Sequence, residues 1–399
     1  MRMIGSLSRL AVPVVLVAIG LAARHTAAEP VAGALVVLVT LVDVFFTVLY
    51  ARMHSGWLSL ALADVMLLLF RAVARLFRGR RATVLSLCGP AILVALVGWW
   101  ALLLTMGAAL IIHPALGHGV VATQGATPTD FATALYAAGS SISIVGASSL
   151  GPSSSGYRLL YLVNSLIGAS VLSLTLTYLM QVYSALQRRN ALARELDMLS
   201  AQTGDAAELL AGVGAERQFQ SGYTHLATLA SAMTSVKESH HLYPVLFYFR
   251  FPDPLYSVSR MCVVTLDLVT LIKSALVDDD AWLAESAAVT ALAGASTLLV
   301  TSLERSFLPS HAARASGGDE RSARRYRAAV ARLRQADIAT VDDATGVARY
   351  VELRACWDAH TGALASMLGY TLGEIDVAGT QPEQEPPRPP FRLRRHAFA

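Results

Sequence analysis

Three groups of residues in this 399-residue chain have types and spacings that could do chemistry. The first is Ser143-Ile144-Val145-Gly146-Ala147-Ser148-Ser149, preceded by Ser140 and Ser141. A small-residue stretch of this kind reads as non-helical, and irregular backbone at membrane depth is tolerated only where it is buried in protein or lines water. The second is Asp43, an acidic residue inside the apolar run from Val31 to Tyr50. A carboxylate there is costly unless it faces protein, water or a cation, so it is a candidate for an ion pathway and equally for a cap or pair within a helix bundle. The third is His225, His240 and His241, whose adjacent pair lacks the spacing that sets two ligands on one helix face. Cys88, Cys262 and Cys356 have neither metal-ligand spacing nor the look of a disulfide framework. There is no nucleophile elbow, phosphate-binding glycine loop or carboxylate-histidine motif, so neither an enzyme, a metal site nor a cofactor is expected.

The elements that must position these residues are those of a membrane protein. Hydrophobic residues make up 54% of the chain and charged residues 15%, with the apolar material concentrated in the first half. The formal net charge of +4 comes largely from Arg clusters beside apolar stretches, where Arg marks the cytoplasmic face. The expected partner of that basicity is the lipid bilayer and not nucleic acid. Leu10 to Ala28 and Val31 to Tyr50 each approach the roughly 20 residues a bilayer requires, which predicts a transmembrane hairpin over 1–56. Because the second apolar segment follows at once, the first is read as a span and not as a cleaved signal peptide.

Trp57 to Arg78 sets Asp64, Arg71, Arg75 and Arg78 against an apolar side, which predicts an interfacial helix and basic linker over 57–88. A full span from Trp57 to Phe77, which would place the N-terminus outside, is the alternative. Gly89 to His113 reads as an outer helix and Tyr157 to Leu186 as the last span. Between them, Thr129-Asp130 cap a short helix from Phe131 to Ser141 that is too short to cross. Irregular backbone at membrane depth survives only buried in protein or lining water, so this helix and the stretch after it predict a re-entrant pore loop within a module spanning 89–189.

Beyond Gln187-Arg188-Arg189 the last span continues with Leu192, Leu196 and Leu199 at helical spacing. A mainly helical cytoplasmic domain is expected over 190–379, with 261–276 and 282–303 as its core helices and an aromatic, proline-punctuated corner from Tyr243 to Tyr256. A disordered Pro- and Arg-rich tail is expected over 380–399.

The central segment resembles the prokaryotic two-transmembrane pore-loop potassium channel superfamily. That family carries a pore helix, a filter commonly written Thr-Thr-Val-Gly-Tyr-Gly-Asp-Leu, and an inner helix with a hinge glycine. Here Ala134-Leu135-Tyr136 begins the end of the pore helix, Ser143-Ile144-Val145-Gly146-Ala147-Ser148-Ser149-Leu150 takes the filter register, Pro152 follows, and Gly168 falls at the hinge position. The resemblance runs from about Gly89 to Arg189 and implies that Ser143, Ile144, Val145, Gly146, Ala147 and Ser148 line an ion pathway. Helix packing is an equal reading of Gly168.

The departures are as informative. Ile144 replaces the threonine whose hydroxyl completes the innermost site, and Ala147 replaces the tyrosine that wedges the filter against pore-helix aromatics. Ala137 stands where a tryptophan is common, Ser148 replaces the second glycine, and Ser140 and Ser149 replace an acidic pair. These changes predict a wider, wetter, less selective pathway for monovalent cations. The expected protein is therefore an all-α, multi-pass protein of an inner or plasma membrane, a homotetrameric channel gated by a cytoplasmic domain whose ligand the sequence does not reveal. A channel-derived scaffold or sensor that no longer conducts is the second reading.

Overall fold

The computed structural model describes residues 2–23, 26–50, 56–143, 146, 149–214, 219–277, 280–308, 319–341 and 343–380. It is 82% helical, and its only strands among the described residues form one short ribbon, so the protein is all-α as expected. Contacts divide the chain into one unit of residues 1–184 and 241–249 and a second of 185–240 and 250–399.

The first unit begins with α1 (Arg2–Ala22), α2 (Ala28–Val44, prolonged by a π-helical turn Phe45–Leu49), α3 (Trp57–Leu76), α4 (Arg81–Ser86) and α5 (Cys88–Ile112). Helices α1, α2, α3 and α5 pack on one another. Apolar contact alone does not fix their register, because inside a membrane the surrounding lipid competes equally for such surface. Polar contacts fix it instead. At the start of α2 the buried Glu29 carboxylate lies 2.6 Å from His113 Nδ1, just past the end of α5. Towards the other end of α2, buried Asp43 accepts from Trp100 Nε1 on α5 at 2.9 Å. These two contacts run α2 antiparallel to α5.

Next come β1 (Val120–Ala122), α6 (Phe131–Ile142), β2 (Leu150–Pro152) and α7 (Ser155–Leu199), a 45-residue helix that supplies residues to both units. Strands β1 and β2 pair antiparallel with Val120 opposite Pro152, Val121 opposite Gly151 and Ala122 opposite Leu150. Beneath the ribbon Val120, Leu116 and Leu150 join Ala108, Ala109 and Ile112 of α5 and Ala134, Ala137 and Ala138 of α6 in one buried cluster. The three alanines let α6 approach α5 closely, a use of small residues common between membrane helices.

The second unit contains α8 (Ala206–Val213), α9 (Phe219–Leu242), α10 (Val258–Ala275), α11 (Ala281–Glu285), α12 (Ala287–Phe307), α13 (Asp319–Gln335), α14 (Asp343–Ala355), α15 (Asp358–Leu368), α16 (Leu372–Ile375) and α17 (Val377–Thr380). Helix α10 is its axis, buried at every position except Arg260 and Lys273 and touching α8, α12, α14 and α15. At its middle Asp267 accepts from Arg325 Nη2 at 2.8 Å, Arg354 Nη1 at 2.9 Å and the Tyr350 hydroxyl. Arg325 also meets Asp205 and Arg354 meets Asp376, so one acidic residue in α10 ties α13, α14 and the segments carrying those partners together. Burial raises the Asp267 carboxyl, but Arg325 and Arg354, with the Tyr350 hydrogen bond, outweigh it and hold the group below its ordinary range.

Among the described residues, four helices are long and apolar enough to cross a membrane: Ala28–Leu49, Arg81–Ala115, Ser155–Leu199 and Ala287–Phe307. Leu10–Ala22 is a shorter apolar helix.

Candidate functional site

The site is built on α6. Asp130 caps its first turn, accepting from the Thr133 amide at 3.0 Å and the Thr133 hydroxyl at 2.8 Å, and those two bonds, the hydroxyl first, hold its carboxyl below the ordinary value. Twelve residues at about 1.5 Å each make a helix of roughly 18 Å, short of a bilayer core. The N-terminal residue Phe131 packs edge-on against the His113 ring at 5.6 Å between centroids.

The other end of α6 is fixed to α7. Asn164 Nδ2 donates to Ser141 Oγ at 2.9 Å, and Ser165 Oγ donates to the Ser141 carbonyl at 2.8 Å. Ser141 Oγ in turn donates to the Ala138 carbonyl at 2.8 Å, and the Ser143 amide to the Gly139 carbonyl at 2.9 Å. Gly168 lies one turn further along α7, where a Cβ would stand 2.0 Å from the Ile142 carbonyl oxygen. No side chain fits there, so Gly168 is a close-approach glycine between α7 and the C-terminal end of α6. Helical carbonyls at such an end carry the negative pole of the macrodipole, which favours cations.

Of the sequence-derived pathway residues, Ser143 ends α6 in an extended conformation and Gly146 has φ +62°, the left-handed region that suits glycine. A Cβ at Gly146 would meet nothing within 4 Å. Ile144, Val145, Ala147 and Ser148 lie outside the described residues. Tyr136 is half-exposed and Ala137 fully buried. After the stretch, the Ser149 carbonyl accepts from the Thr123 amide at 2.8 Å and the Thr123 hydroxyl at 3.0 Å.

Asp43 stands apart from this group. It accepts from the Leu58 amide at 3.0 Å, Ser59 Oγ at 2.8 Å and Trp100 Nε1 at 2.9 Å. The carboxylate therefore caps the first turn of α3 and joins it to α2 and α5. His225 is exposed, whereas His240 is buried with neither ring nitrogen hydrogen-bonded. Among the described residues no group of His, Cys, Asp or Glu could hold a metal ion.

Sequence reasoning missed Asn164, Ser165 and Thr123. A carboxamide four residues before Gly168, in an otherwise apolar span, was a usable signal, because polar side chains in membrane helices seek partners across helices. Thr123 offered no signal, since a threonine in a polar loop is ordinary.

No family model matches the chain, and no solved structure matches it. It is similar to a protein of Bacillus subtilis (strain 168) described as "Uncharacterized membrane protein YdjJ", with 23% identity over 237 residues that cover 59% of this chain and 67% of that protein. With that relative and its long apolar helices, the chain is an all-α membrane protein.

Proposed function

We propose that the chain is one subunit of a homotetrameric, weakly selective cation channel of an inner or plasma membrane. The observation that carries this reading is α6: a capped helix too short to cross, tied at its C-terminal end to α7 by Asn164 and Ser165 and ending at an extended Ser143. One such loop supplies one side of a cation path, and symmetric copies supply the rest. In support, only 11% of the most apolar stretch of α7 is buried within the chain, against 44% for the helix Arg81–Ala115, which leaves α7 with surface for other copies and for lipid.

The cations are monovalent, and the departures at Ile144, Ala147 and Ser148 favour weak discrimination between potassium and sodium. The second unit is the regulatory part and is cytoplasmic. Its α12 is long and apolar enough to cross, but Ser296 meets Thr265 at 3.0 Å and Glu304 meets His360 at 2.8 Å, contacts that suit a core helix. The second reading, a non-conducting scaffold, is favoured by Ala137 and Ala147 standing where the resembled family carries aromatic residues. Single-channel recording of the purified protein in planar bilayers, with sodium substituted for potassium, decides between them. Cation current with comparable sodium and potassium permeability is expected, and silence under all conditions gives the scaffold.

A further inference from the structure

The end of α3 and the start of α4 carry a basic patch that the channel reading does not use. Arg71, Arg75, Arg78, Arg80 and Arg81 crowd this stretch of chain, while Asp64 is the only acidic residue between Asp43 and Asp130. The Asp64 carboxylate accepts from the Tyr248 hydroxyl at 3.0 Å and stands two turns before Arg71, roughly 10 Å along α3. Arg75, Arg80 and Arg81 are exposed, and none of the three forms an ion pair among the described residues. Arg71 is half-buried one turn before Arg75 on the same face of α3. Burial is the main cause pushing its guanidinium below the ordinary value, and the nearby charges of Arg75 and Arg81 add to it against Cys88 and Tyr248. Like charges gathered this closely, without a carboxylate among them, attract an anion.

Apolar side chains adjoin the patch. Leu76 is 80% exposed and Phe77 58%, and Leu69 and Leu87 are exposed as well. Leu69 and Leu76, seven residues apart, share a flank of α3 that lies about 100° round the axis from Arg75. At a membrane surface such a flank meets acyl chains while the neighbouring arginines meet headgroup phosphates, so one molecule carrying both phosphate and hydrocarbon satisfies the two flanks together.

We infer that this patch is a binding site for an anionic phospholipid, with Arg75, Arg80 and Arg81 around the headgroup phosphate and Leu76 and Phe77 against the acyl chains. A guanidinium pairs with two phosphate oxygens at once, and a zwitterionic headgroup would bring its own cation against the arginines. The site therefore selects by headgroup charge. The inference goes beyond the channel reading and needs neither conduction nor assembly.

The test titrates phosphatidylglycerol, and separately phosphatidylcholine, into the full-length protein in a neutral detergent and counts bound lipid by native mass spectrometry. Three forms are compared: wild type, a variant with Arg75→Gln, Arg80→Gln and Arg81→Gln together, and a charge-matched control with Arg324→Gln, Arg327→Gln and Arg349→Gln at exposed positions of α13 and α14. A juxtamembrane arginine strengthens binding to anionic lipid by about five-fold, so the first variant should lose affinity for phosphatidylglycerol on the order of a hundred-fold. The control should bind like the wild type, and phosphatidylcholine should bind all three forms weakly and alike. Because the three patch side chains are exposed, their variant should melt with the wild type in lipid-free detergent. If it melts early, Arg75→Gln alone is titrated and must lose about five-fold. Undiminished phosphatidylglycerol binding in the patch variant would overturn the site, and so would an equal loss in the control, which would leave net charge as the cause. Equal affinity of the wild type for both lipids would reduce the patch to ordinary apolar contact. Displacement of phosphatidylglycerol by millimolar inorganic phosphate would make the free ion the ligand and overturn the lipid assignment.

Discussion

Gly33 and Gly107 face each other where α2 crosses α5. A Cβ built at Gly33 would stand 2.5 Å from the Gly107 carbonyl oxygen, and one built at Gly107 would stand 2.8 Å from the Gly33 carbonyl oxygen. The backbones therefore touch between the Glu29–His113 contact and the Asp43–Trp100 hydrogen bond. Gly33→Ala or Gly107→Ala should force the helices apart and cost about 1–3 kcal/mol, the usual range for overpacking. A lowered melting temperature in detergent, with unit-two tryptophan signals unaffected, is the expected result. Wild-type melting of both variants would show that the crossing yields without strain.

Gly168 makes the corresponding contact for α6. Gly168→Ala should displace the end of α6 from α7, weakening the Asn164 and Ser165 bonds together, and under the proposed tetrameric assembly native mass spectrometry should then show loss of tetramer relative to wild type. An intact tetramer with altered opening would instead favour a hinge role for this glycine.

In the second unit, Asp267→Asn should destabilise by about 3–5 kcal/mol, because it leaves Arg325 and Arg354 buried with their common partner neutralised. The wild-type carboxyl is held below its unfolded value of about 3.9, so its contribution is fully present above that pH and is lost as pH falls below it. Urea melts should show an acid-induced loss below about pH 4 in the wild type that is much smaller in Asp267→Asn.

His240 produces a slope at higher pH. Burial, and then the neighbouring Arg189 charge, push its imidazole down to about 3. The unfolded chain takes up a proton near pH 6.5 that the folded chain refuses, so stability falls by up to about 1.4 kcal/mol per pH unit as pH drops from there towards 3. His240→Leu should flatten that slope between pH 6.5 and 4.5. A slope identical to wild type would mean that His240 becomes charged without disturbing the fold.

Topology is checked by cysteine labelling at the exposed positions Ser154 and Gln202. An impermeant maleimide added outside cells should modify Ser154→Cys and spare Gln202→Cys until the membrane is permeabilised. Equal labelling of both from outside would place the second unit on the wrong side for the proposed channel.

Helix content and the short capped α6 were legible in the sequence because they rest on local signals: apolar runs, and an Asp130 cap read directly from its position before Phe131. What stayed hidden depends on pairs distant in the chain. Asp43 was visible as a costly carboxylate, but its donors lie at Leu58, Ser59 and Trp100, and nothing local names them. Glu29 and His113 sit at helix ends, where polar residues are unremarked, and only packing brings them within 2.6 Å. Gly168 was noticed for its position and left open in its role, since the same residue serves bending and close approach.

The Thr123–Ser149 contact closes a neck around everything between those two residues, α6 included. A closed loop of this kind is a module in the evolutionary sense: its boundary is backbone and hydroxyl chemistry that does not depend on which side chains occupy the interior. Inside it, the α6 residues that meet α5 and α7 are held to their neighbours, whereas exposed positions such as Gln124 and Ala126 can drift without obliging compensating change in the helices outside. Diversity among relatives should therefore concentrate at those exposed positions, while position 123 retains a hydroxyl.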